Sequence, residues 1–277
     1  MKPDDKKIWE NLDQDEDRWR KRKKRSEDIK TVDSVIDLNT AKEIKRLQER
    51  GIIVSITGTI ASGKESGVFL AELGPEGEKY CKAYSIESPI VAKIFRTSTL
   101  NFKQIKQYIN GDRRFTKQSK KLRRVIYLWA EKEYSNLQRS IQAEVNVPKP
   151  ILIRKNILLM ELLGKEGIPS PLLKNTPEAF TEKTLTQILN QIKLLFQRAG
   201  LVHADLSAFN ILMVNTTPYF IDMSQSVLLS HPRALDFLKR DLKNILSFFS
   251  TKEIEIPNDQ ELFDEIIKDL PDKNLIL

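Results

Sequence analysis

Asp205, Asn210 and Asp222 carry the chemistry most readily read from this sequence. They lie in the stretch Leu201-Val202-His203-Ala204-Asp205-Leu206-Ser207-Ala208-Phe209-Asn210-Ile211-Leu212 and just beyond it. The apolar run Ile211–Val214 meets the turn Asn215-Thr216-Thr217-Pro218, and a second run, Tyr219-Phe220-Ile221, ends in Asp222. An antiparallel hairpin brings its outer ends side by side, so Asn210 and Asp222 meet at one sheet edge. An amide oxygen beside a carboxylate can hold a hard cation. Asp205, five residues before Asn210, faces the same spot and suits the accepting or orienting of a hydroxyl proton during phosphoryl transfer. Asp and Asn taken singly also open and close turns for local reasons. The whole pattern, H-x-D-x-x-x-x-N-I-L followed by a hairpin ending in Ile221-Asp222, is far more specific.

A cation of this kind needs a nucleotide. Val91-Ala92-Lys93-Ile94 puts a lysine inside a predicted buried strand, where its charge is costly unless paired. Such a lysine can serve phosphate oxygens and pair with a glutamate on a helix. The next helix offers Glu131 and Glu133. Glu133 stands four residues before Leu137, so the leucine packs inward while the acid points at the lysine. Either glutamate taken alone could equally be a surface residue of an amphipathic helix. Gly58-Thr59-Ile60-Ala61-Ser62-Gly63-Lys64-Glu65 nearly spells a P-loop. Glu65, however, stands where magnesium needs a hydroxyl, and a short strand follows instead of a long helix. Thr59–Gly63 therefore reads as a phosphate-covering turn in a β-hairpin, its small residues admitting close backbone approach.

The elements that must position these residues follow from patterning. A short helix over Asp37–Arg50 carries Leu38, Ala41, Ile44 and Leu47 at helical spacing and ends at Gly51. Ile52–Thr57, Val68–Leu73, Lys79–Ala83 and Ile90–Phe95 read as strands of a small antiparallel sheet, two of them joined by a turn at Gly74-Pro75-Glu76-Gly77. A basic linker precedes a helix around Tyr127–Ser140, and Ile151–Ile153 with Ile157–Leu159 read as a hairpin. The interlobe hinge falls just before the Gly- and Pro-rich stretch Gly164–Pro171. Beyond it, Leu185, Ile188, Leu189, Ile192, Leu195, Phe196 and Ala199 mark a helix ended by Gly200. A final helix starts at Pro232 and carries Leu235, Leu238, Leu242, Ile245 and Phe249. The predicted fold is α+β and bilobal. It comprises a charged segment 1–35, a small β-rich N-lobe 36–163 with the basic linker 96–124, and a reduced helical C-lobe 164–277.

Composition narrows the chemistry. The 277 residues are 40% hydrophobic and 30% charged, which permits a real core. One cysteine, Cys81, excludes an internal disulfide framework, and with only His203 and His231 beside it a zinc site is not expected. No apolar run is long enough to span a bilayer and no apolar core follows the first residues, so a soluble cytoplasmic protein with no membrane partner is expected. The net charge of +8 is unevenly placed: residues 96–124 hold ten Lys or Arg against the single acid Asp112. That imbalance reads as a phosphate-backbone contact surface for RNA. A second cluster, Arg18–Arg25, is offset by acids just before it and reads equally as a solvated segment.

Together these residues resemble the RIO family of atypical serine/threonine protein kinases, most closely its first subgroup. Ile60-Ala61-Ser62-Gly63-Lys64-Glu65-Ser66-Gly67-Val68 is similar to the family's S-T-G-K-E-x-x-V loop. Tyr108–Phe115 resembles that subgroup's linker signature, and Leu201–Asn210 is similar to L-V-H-A-D-L-S-x-Y-N. Ile221-Asp222-Met223-Ser224-Gln225, His231-Pro232 and Phe237–Asp241 continue the likeness, which runs from about residue 35 to 250. Only about fifty residues precede the sheet, so the second subgroup's winged-helix domain is not expected. The resemblance implies a protein kinase with ATPase activity, using ATP with magnesium or manganese, in which Asp205 is the catalytic acceptor and Lys93 contacts the phosphates and pairs with Glu133. It further implies that Asn210 and Asp222 hold the metal, that Ser62 and Gly63 line the nucleotide, and that backbone groups of Glu161 and Leu163 in the hinge Met160–Leu163 meet adenine. A phosphoaspartate on Asp222 and a role with the pre-small-subunit ribosome and its RNA are implied as well. Asp222 is followed by 55 residues, with no Ala-Pro-Glu segment among them, so a usual peptide groove is not expected. Ala204 stands where ordinary kinases carry the arginine that reads a phosphorylated activation loop, so control by that route is not expected either. Two other readings are open: a P-loop-type NTPase using Lys64, and a kinase-like RNA-binding scaffold with little turnover.

Overall fold

Strand β3 (Ile90–Phe95) is buried along its whole length and lies at the centre of the fold. Successive side chains of a strand point to opposite faces. Ile90, Ala92 and Ile94 join one apolar cluster, whereas Phe95, two residues on from Lys93, joins the other. β3 sits in a five-stranded antiparallel sheet of order β1-β2-β3-β5-β4, with β1 at Ile53–Ser62, β2 at Ser66–Leu73, β4 at Pro150–Arg154 and β5 at Ile157–Met160. Register is explicit around the lysine: Val68 opposes Lys93 on one side and Leu158 opposes it on the other. The computed structural model describes residues 36–268 except 83, 98–101, 110, 111, 113, 115–121 and 253; the predicted segment 1–35 with its cluster Arg18–Arg25 lies outside them.

Helix α1 (Leu38–Glu49) is capped by Asp37, whose Oδ1 accepts from the Thr40 N–H at 2.8 Å, and Gly51 at φ +66° ends it as expected. Asp37 does more than cap. Its Oδ2 accepts from Thr97 Oγ1 at 2.8 Å and from Arg123 at 3.1 Å, so one carboxylate holds residues at both ends of the basic linker. Glu43, buried on the same helix, receives Arg154 at 2.7 Å and Lys155 at 2.5 Å and so fixes α1 to the β4–β5 turn.

Two predicted elements differ. The span expected as a strand over Lys79–Ala83 belongs to helix α2 (Pro75–Lys82), and the turn at Gly74–Gly77 is the entry to that helix. Pro75 takes the first helical position, Glu76 and Glu78 complement the helix N-terminus, and Lys79 pairs with Glu76 at 2.6 Å. β1 continues to Ser62, beyond the expected Thr57, so the hairpin turn comprises only Gly63, Lys64 and Glu65. The strand that follows Lys64 excludes a P-loop, which must open a helix at that point.

Part of the basic linker lies within the described residues. Helix α3 (Phe102–Ile109) buries Ile105, Tyr108 and Ile109, and Tyr108 packs on Trp129 and Phe237 with ring centroids 5.9 and 5.5 Å apart. Helix α4 runs from Leu122 to Gln142, longer than the expected Tyr127–Ser140. After the hinge come two short strands, β6 (Gly164–Lys165) and β7 (Ile168–Pro169), then helix α5 (Glu182–Gln197) with Thr181 as its N-cap and Gly200 at φ +63° beyond its end. Two small antiparallel pairs follow: β8 (Leu201–Val202) with β11 (Val227–Leu228), and β9 (Ile211–Val214) with β10 (Thr217–Phe220). Helix α6 spans Ala234–Ser250, starting two residues after Pro232 and leaving Leu235 exposed, and an unanticipated helix α7 (Asp259–Lys268) packs behind it. Core residues of α4 belong to the apolar cluster of the helical half, which makes α4 a bridge between the two halves. No helix among the described residues is long and apolar enough to cross a membrane.

Packing of α2 on β1 generates a prediction. A Cβ at Gly77 would lie 2.1 Å from the Ile52 carbonyl oxygen and 2.9 Å from the Leu73 side chain, whereas one at Gly58 meets nothing within 4 Å. Gly77→Ala is expected to destabilise the protein by about 1–3 kcal/mol through overpacking, despite alanine's better helix propensity. Gly58→Ala is expected to unfold within about 0.5 kcal/mol of the parent. Denaturant midpoints of the two variants measure the contrast, and equal midpoints would contradict it.

Candidate active site

The sheet, helix α4 and the β9–β10 hairpin converge on Lys93. Its ammonium lies 2.8 Å from Glu133 Oε1, 2.7 Å from Glu133 Oε2 and 2.9 Å from Asp222 Oδ1. Glu133, not the exposed Glu131, is the helix partner, and Leu137 one turn on is buried as the spacing implied. Burial works against the Lys93 charge, but Asp222 and Glu133 together hold its pKa above the ordinary lysine value. Burial pushes the Glu133 carboxyl upward against the pull of Lys93. Burial also opposes ionisation of Asp222, yet the Lys93 ammonium and the Ser224 hydroxyl, which donates at 2.9 Å, hold that carboxyl below its usual range.

The hairpin forms as its sequence pattern required. Phe220 opposes Ile211, and the Ile221 N–H donates to the Asn210 carbonyl at 3.0 Å, which sets the residues flanking Asp222 beside Asn210. Asp205 lies on the preceding loop. Asn210 Nδ2 donates to the Asp205 carbonyl at 2.8 Å, leaving the amide oxygen as the end able to meet a cation. Gln225 donates to Asp205 Oδ2 at 3.1 Å, so the loop after Asp222 touches the Asp205 carboxylate. Burial, then the neighbouring Asp222 charge, raises the Asp205 pKa. Neutral His203, its pKa lowered to about 4 by burial, donates Nε2–H to the Ile221 carbonyl at 3.0 Å. It thereby braces the residue before Asp222.

Several residues that hold the site carried no sequence signal beyond the family likeness. Asp241 on α6 accepts from the N–H groups of Ala204 at 2.7 Å and Leu206 at 2.9 Å, on either side of Asp205. Arg240 donates to the Ala204 carbonyl and Asn244 to the Leu206 carbonyl at 3.1 Å. Ala204 has φ +67°, a left-handed conformation that costs a non-glycine residue about 1–2 kcal/mol, and these bonds hold it there. Burial lifts the Asp241 carboxyl to about 7 against the two N–H bonds it receives. Lys132, fully buried on α4 with its pKa lowered to about 7 by burial, reaches the loop after Asp222. A buried helix lysine beside Glu133 was visible in the sequence only as one charge among many.

The remaining predicted positions lie at the end of β1, just after it and just after β5. Ser62 and Gly63 end β1 and open the hairpin turn, and Arg96 donates to Ser62 Oγ at 2.8 Å and to the Gly63 carbonyl at 2.9 Å. Glu161 follows β5 and uses its N–H on the Lys149 carbonyl at 2.9 Å, while the Leu163 carbonyl accepts from Ser170 at 2.8 Å. The Glu161 carbonyl and Leu163 N–H appear in neither bond. No group of three or more His, Cys, Asp or Glu able to hold a metal occurs among the described residues. Asp222 and Asn210 supply only oxygen donors, so they fit a hard cation that completes its shell with phosphate oxygens and water.

Comparison with known proteins relates the chain to one family. A model of the family described as RIO1: RIO domain matches residues 78–262, more than half of the chain. The chain is 40% identical to the probable serine/threonine-protein kinase RIO1 homolog of Encephalitozoon cuniculi, covering 91% of this chain and 68% of that protein. It is 38% identical to the RIO-type serine/threonine-protein kinase Rio1 of Methanocaldococcus jannaschii, covering 85% and 77%, and 38% identical to human serine/threonine-protein kinase RIO1, covering 86% and 40%. The chain thus spans well under half the length of the human relative. The fold resembles the Chaetomium thermophilum Rio2 kinase in its ADP/Mg2+-phosphoaspartate complex, with a TM-score of 0.59 at 21% identity over 85% of this chain and 68% of that one.

Asp241 yields a prediction on stability. Asp241→Ala leaves two buried N–H groups without acceptors, each worth ~1–3 kcal/mol, so a loss of roughly 2–5 kcal/mol is expected in denaturant unfolding. Asp241→Asn, which keeps one acceptor oxygen, is expected to lose less. A wild-type midpoint for Asp241→Ala would show that α6 does not hold the loop.

Proposed function

The chain belongs to the RIO family, and from that premise we propose that it is an ATP- and magnesium-dependent serine/threonine protein kinase with ATPase activity, acting on the maturing small ribosomal subunit. The observation that carries the reading is the buried Lys93 ammonium bound by Glu133 and Asp222, with the Asp222 charge acting on Asp205 and Asp205 tied to Asn210. A lysine so placed serves phosphate oxygens while Glu133 orients it. Asn210 and Asp222 hold the divalent cation, manganese serving as well as magnesium. When bound, that cation screens the phosphate charge and leaves the transferred group open to attack. Asp205, with its raised pKa, accepts the proton of the acceptor hydroxyl. The carbonyl of Glu161 and the N–H of Leu163 meet adenine, and Ser62 at the end of β1 with Gly63 after it, held by Arg96, cover the phosphates. The Rio2 neighbour's complex contains phosphoaspartate; for this chain the reading puts the acyl phosphate on Asp222.

Two variants and a chelator test this reading. Asp205→Ala is expected to lower turnover by ~10²–10⁴-fold with ATP affinity little changed, whereas Asp222→Ala weakens binding of the metal–nucleotide complex. Excess chelator is expected to stop turnover, and phosphate carried on the protein is expected to be labile to hydroxylamine, as an acyl phosphate is. Turnover that persists in chelator, or Asp222→Ala binding metal–ATP like the parent, would overturn the assignment.

RNA contact by residues 96–124 completes the proposal, supported by ten basic residues against one acid. At least three of those ten are committed within the protein: Arg96 to Ser62 and the Gly63 carbonyl, Arg114 to Asp112 at 2.7 Å and Arg123 to Asp37. Lys117, Lys120 and Lys121, which lie outside the described residues, and the exposed Arg124 are therefore the ones to neutralise together. Removing four phosphate contacts is expected to flatten the slope of log K against log salt by about 3–4 for structured small-subunit RNA. An unchanged slope would leave the linker without this role.

A further inference from the structure

Helix α4 makes a second, separate attachment to the cleft. Besides Glu133 it carries Lys132 and Asn136, four residues apart and both fully buried. Lys132 Nζ donates to the Ser224 carbonyl at 2.9 Å and to the Ser226 carbonyl. Asn136 Nδ2 donates to the Met223 carbonyl at 2.8 Å and to the Ser226 carbonyl at 3.0 Å. These three carbonyls lie between Asp222 and β11, in a segment that belongs to no strand or helix. Buried carbonyls outside regular structure need donors from elsewhere, and α4 supplies them. Ser224, held by Lys132 through its backbone, donates its hydroxyl back to Asp222 Oδ1. The Asn136 amide is fixed from its other end: its Oδ1 accepts from Arg114 at 2.9 Å, and Arg114 is forked onto the buried Asp112.

A structural role alone does not call for a lysine here. A buried ammonium or amine is costly unless its donors are met, and an apolar residue would fill the same space beside Trp129. What the two side chains add is registry. We propose that Lys132 and Asn136 are positioning residues for Asp222: a polar clamp that ties the cation-binding loop to the helix bearing Glu133, so that one rigid body sets both partners of Lys93. This inference rests on the reading of Asp222 as a cation ligand. The clamp makes the Glu133–Lys93 pair and the Asp222 position rise and fall together, and the Asp112–Arg114 fork attaches the linker to the same point.

The test compares cation affinity with cation-free nucleotide affinity in the full chain. Lys132→Met keeps the apolar stem and removes both donors, and Asn136→Leu removes the other two while leaving those of Lys132. Manganese is titrated into protein saturated with a non-hydrolysable ATP analogue, and the analogue alone is titrated in chelator. Loss of a group that orients a metal ligand typically weakens the metal by ~10–100-fold. At least a ten-fold loss of manganese affinity is therefore expected in each variant, with nucleotide affinity in chelator altered less than three-fold. Unchanged manganese affinity in both variants, or equal losses with and without the cation, overturns the clamp. Should Lys132→Met fail to fold, Asn136→Leu decides the matter by the same criterion. Asp222→Ala, run alongside, separates the two levels. A loss confined to Asp222→Ala removes the clamp and keeps the site reading, whereas unchanged manganese affinity in Asp222→Ala removes both.

Discussion

A single ammonium buried between two carboxylates organises this protein. Lys93 comes from the central strand, Glu133 from α4 and Asp222 from the end of a hairpin in the other half of the chain. Taking a charge out of water is expensive, and the cost is met only when partners arrive with good geometry. The three elements are therefore not free to drift separately. The sheet cannot shift relative to α4, nor the hairpin relative to the sheet, without leaving a buried charge uncompensated. In the proposed function Asp222 is also the group offered to a cation, so the interaction that joins the two halves is the one a nucleotide would exchange for phosphate and metal contacts. Structural cohesion and ligand binding thus draw on the same charges.

The second constraint is backbone conformation. Ala204 and Asp222 both sit at positive φ, +67° and +61°, on either side of the hairpin. Neither is a glycine, so both conformations need support from their surroundings. Ala204 receives it from α6, where Asp241, Arg240 and Asn244 satisfy the loop's N–H and carbonyl groups. Asp222 receives it from its bond to Lys93, from His203 holding the Ile221 carbonyl, and from the α4 contacts to residues 223–226. Helices α6 and α4 therefore each hold one of these two points.

Much of this was legible in the sequence because it depended on local spacing. The hairpin that joins Asn210 to Asp222, the buried strand of Lys93 and the helix end at Gly200 all follow from period and turn chemistry. The choice of Glu133 over Glu131 followed from Leu137 sharing its face. What escaped was what tertiary packing decided. Pro75–Lys82 reads locally as a Pro-Gly turn and a strand, but Gly77 lets it lie against Ile52 as a helix. Lys132, Asn136 and Asp241 look like ordinary polar residues of amphipathic helices, since their partners are backbone carbonyls and N–H groups about 35 to 95 residues away. No pattern within a helix can announce such partners. The family likeness included Asp241 in a motif without saying what it holds.

Asp37 links these constraints to the history such a chain can have. Its two oxygens cap α1 and grip Thr97 and Arg123, so the segment between those residues leaves and returns at one carboxylate. For a loop whose ends are pinned, the entropy of closure grows only with the logarithm of its length, and doubling it costs about 0.6 kcal/mol. The strand bearing Lys93 and the helix bearing Glu133 would keep their alignment whatever length of chain ran between them. Helix α3 and the Asp112–Arg114 fork lie in that interval and are packed or paired, so only insertions and deletions that leave those contacts intact carry the small penalty of a longer loop.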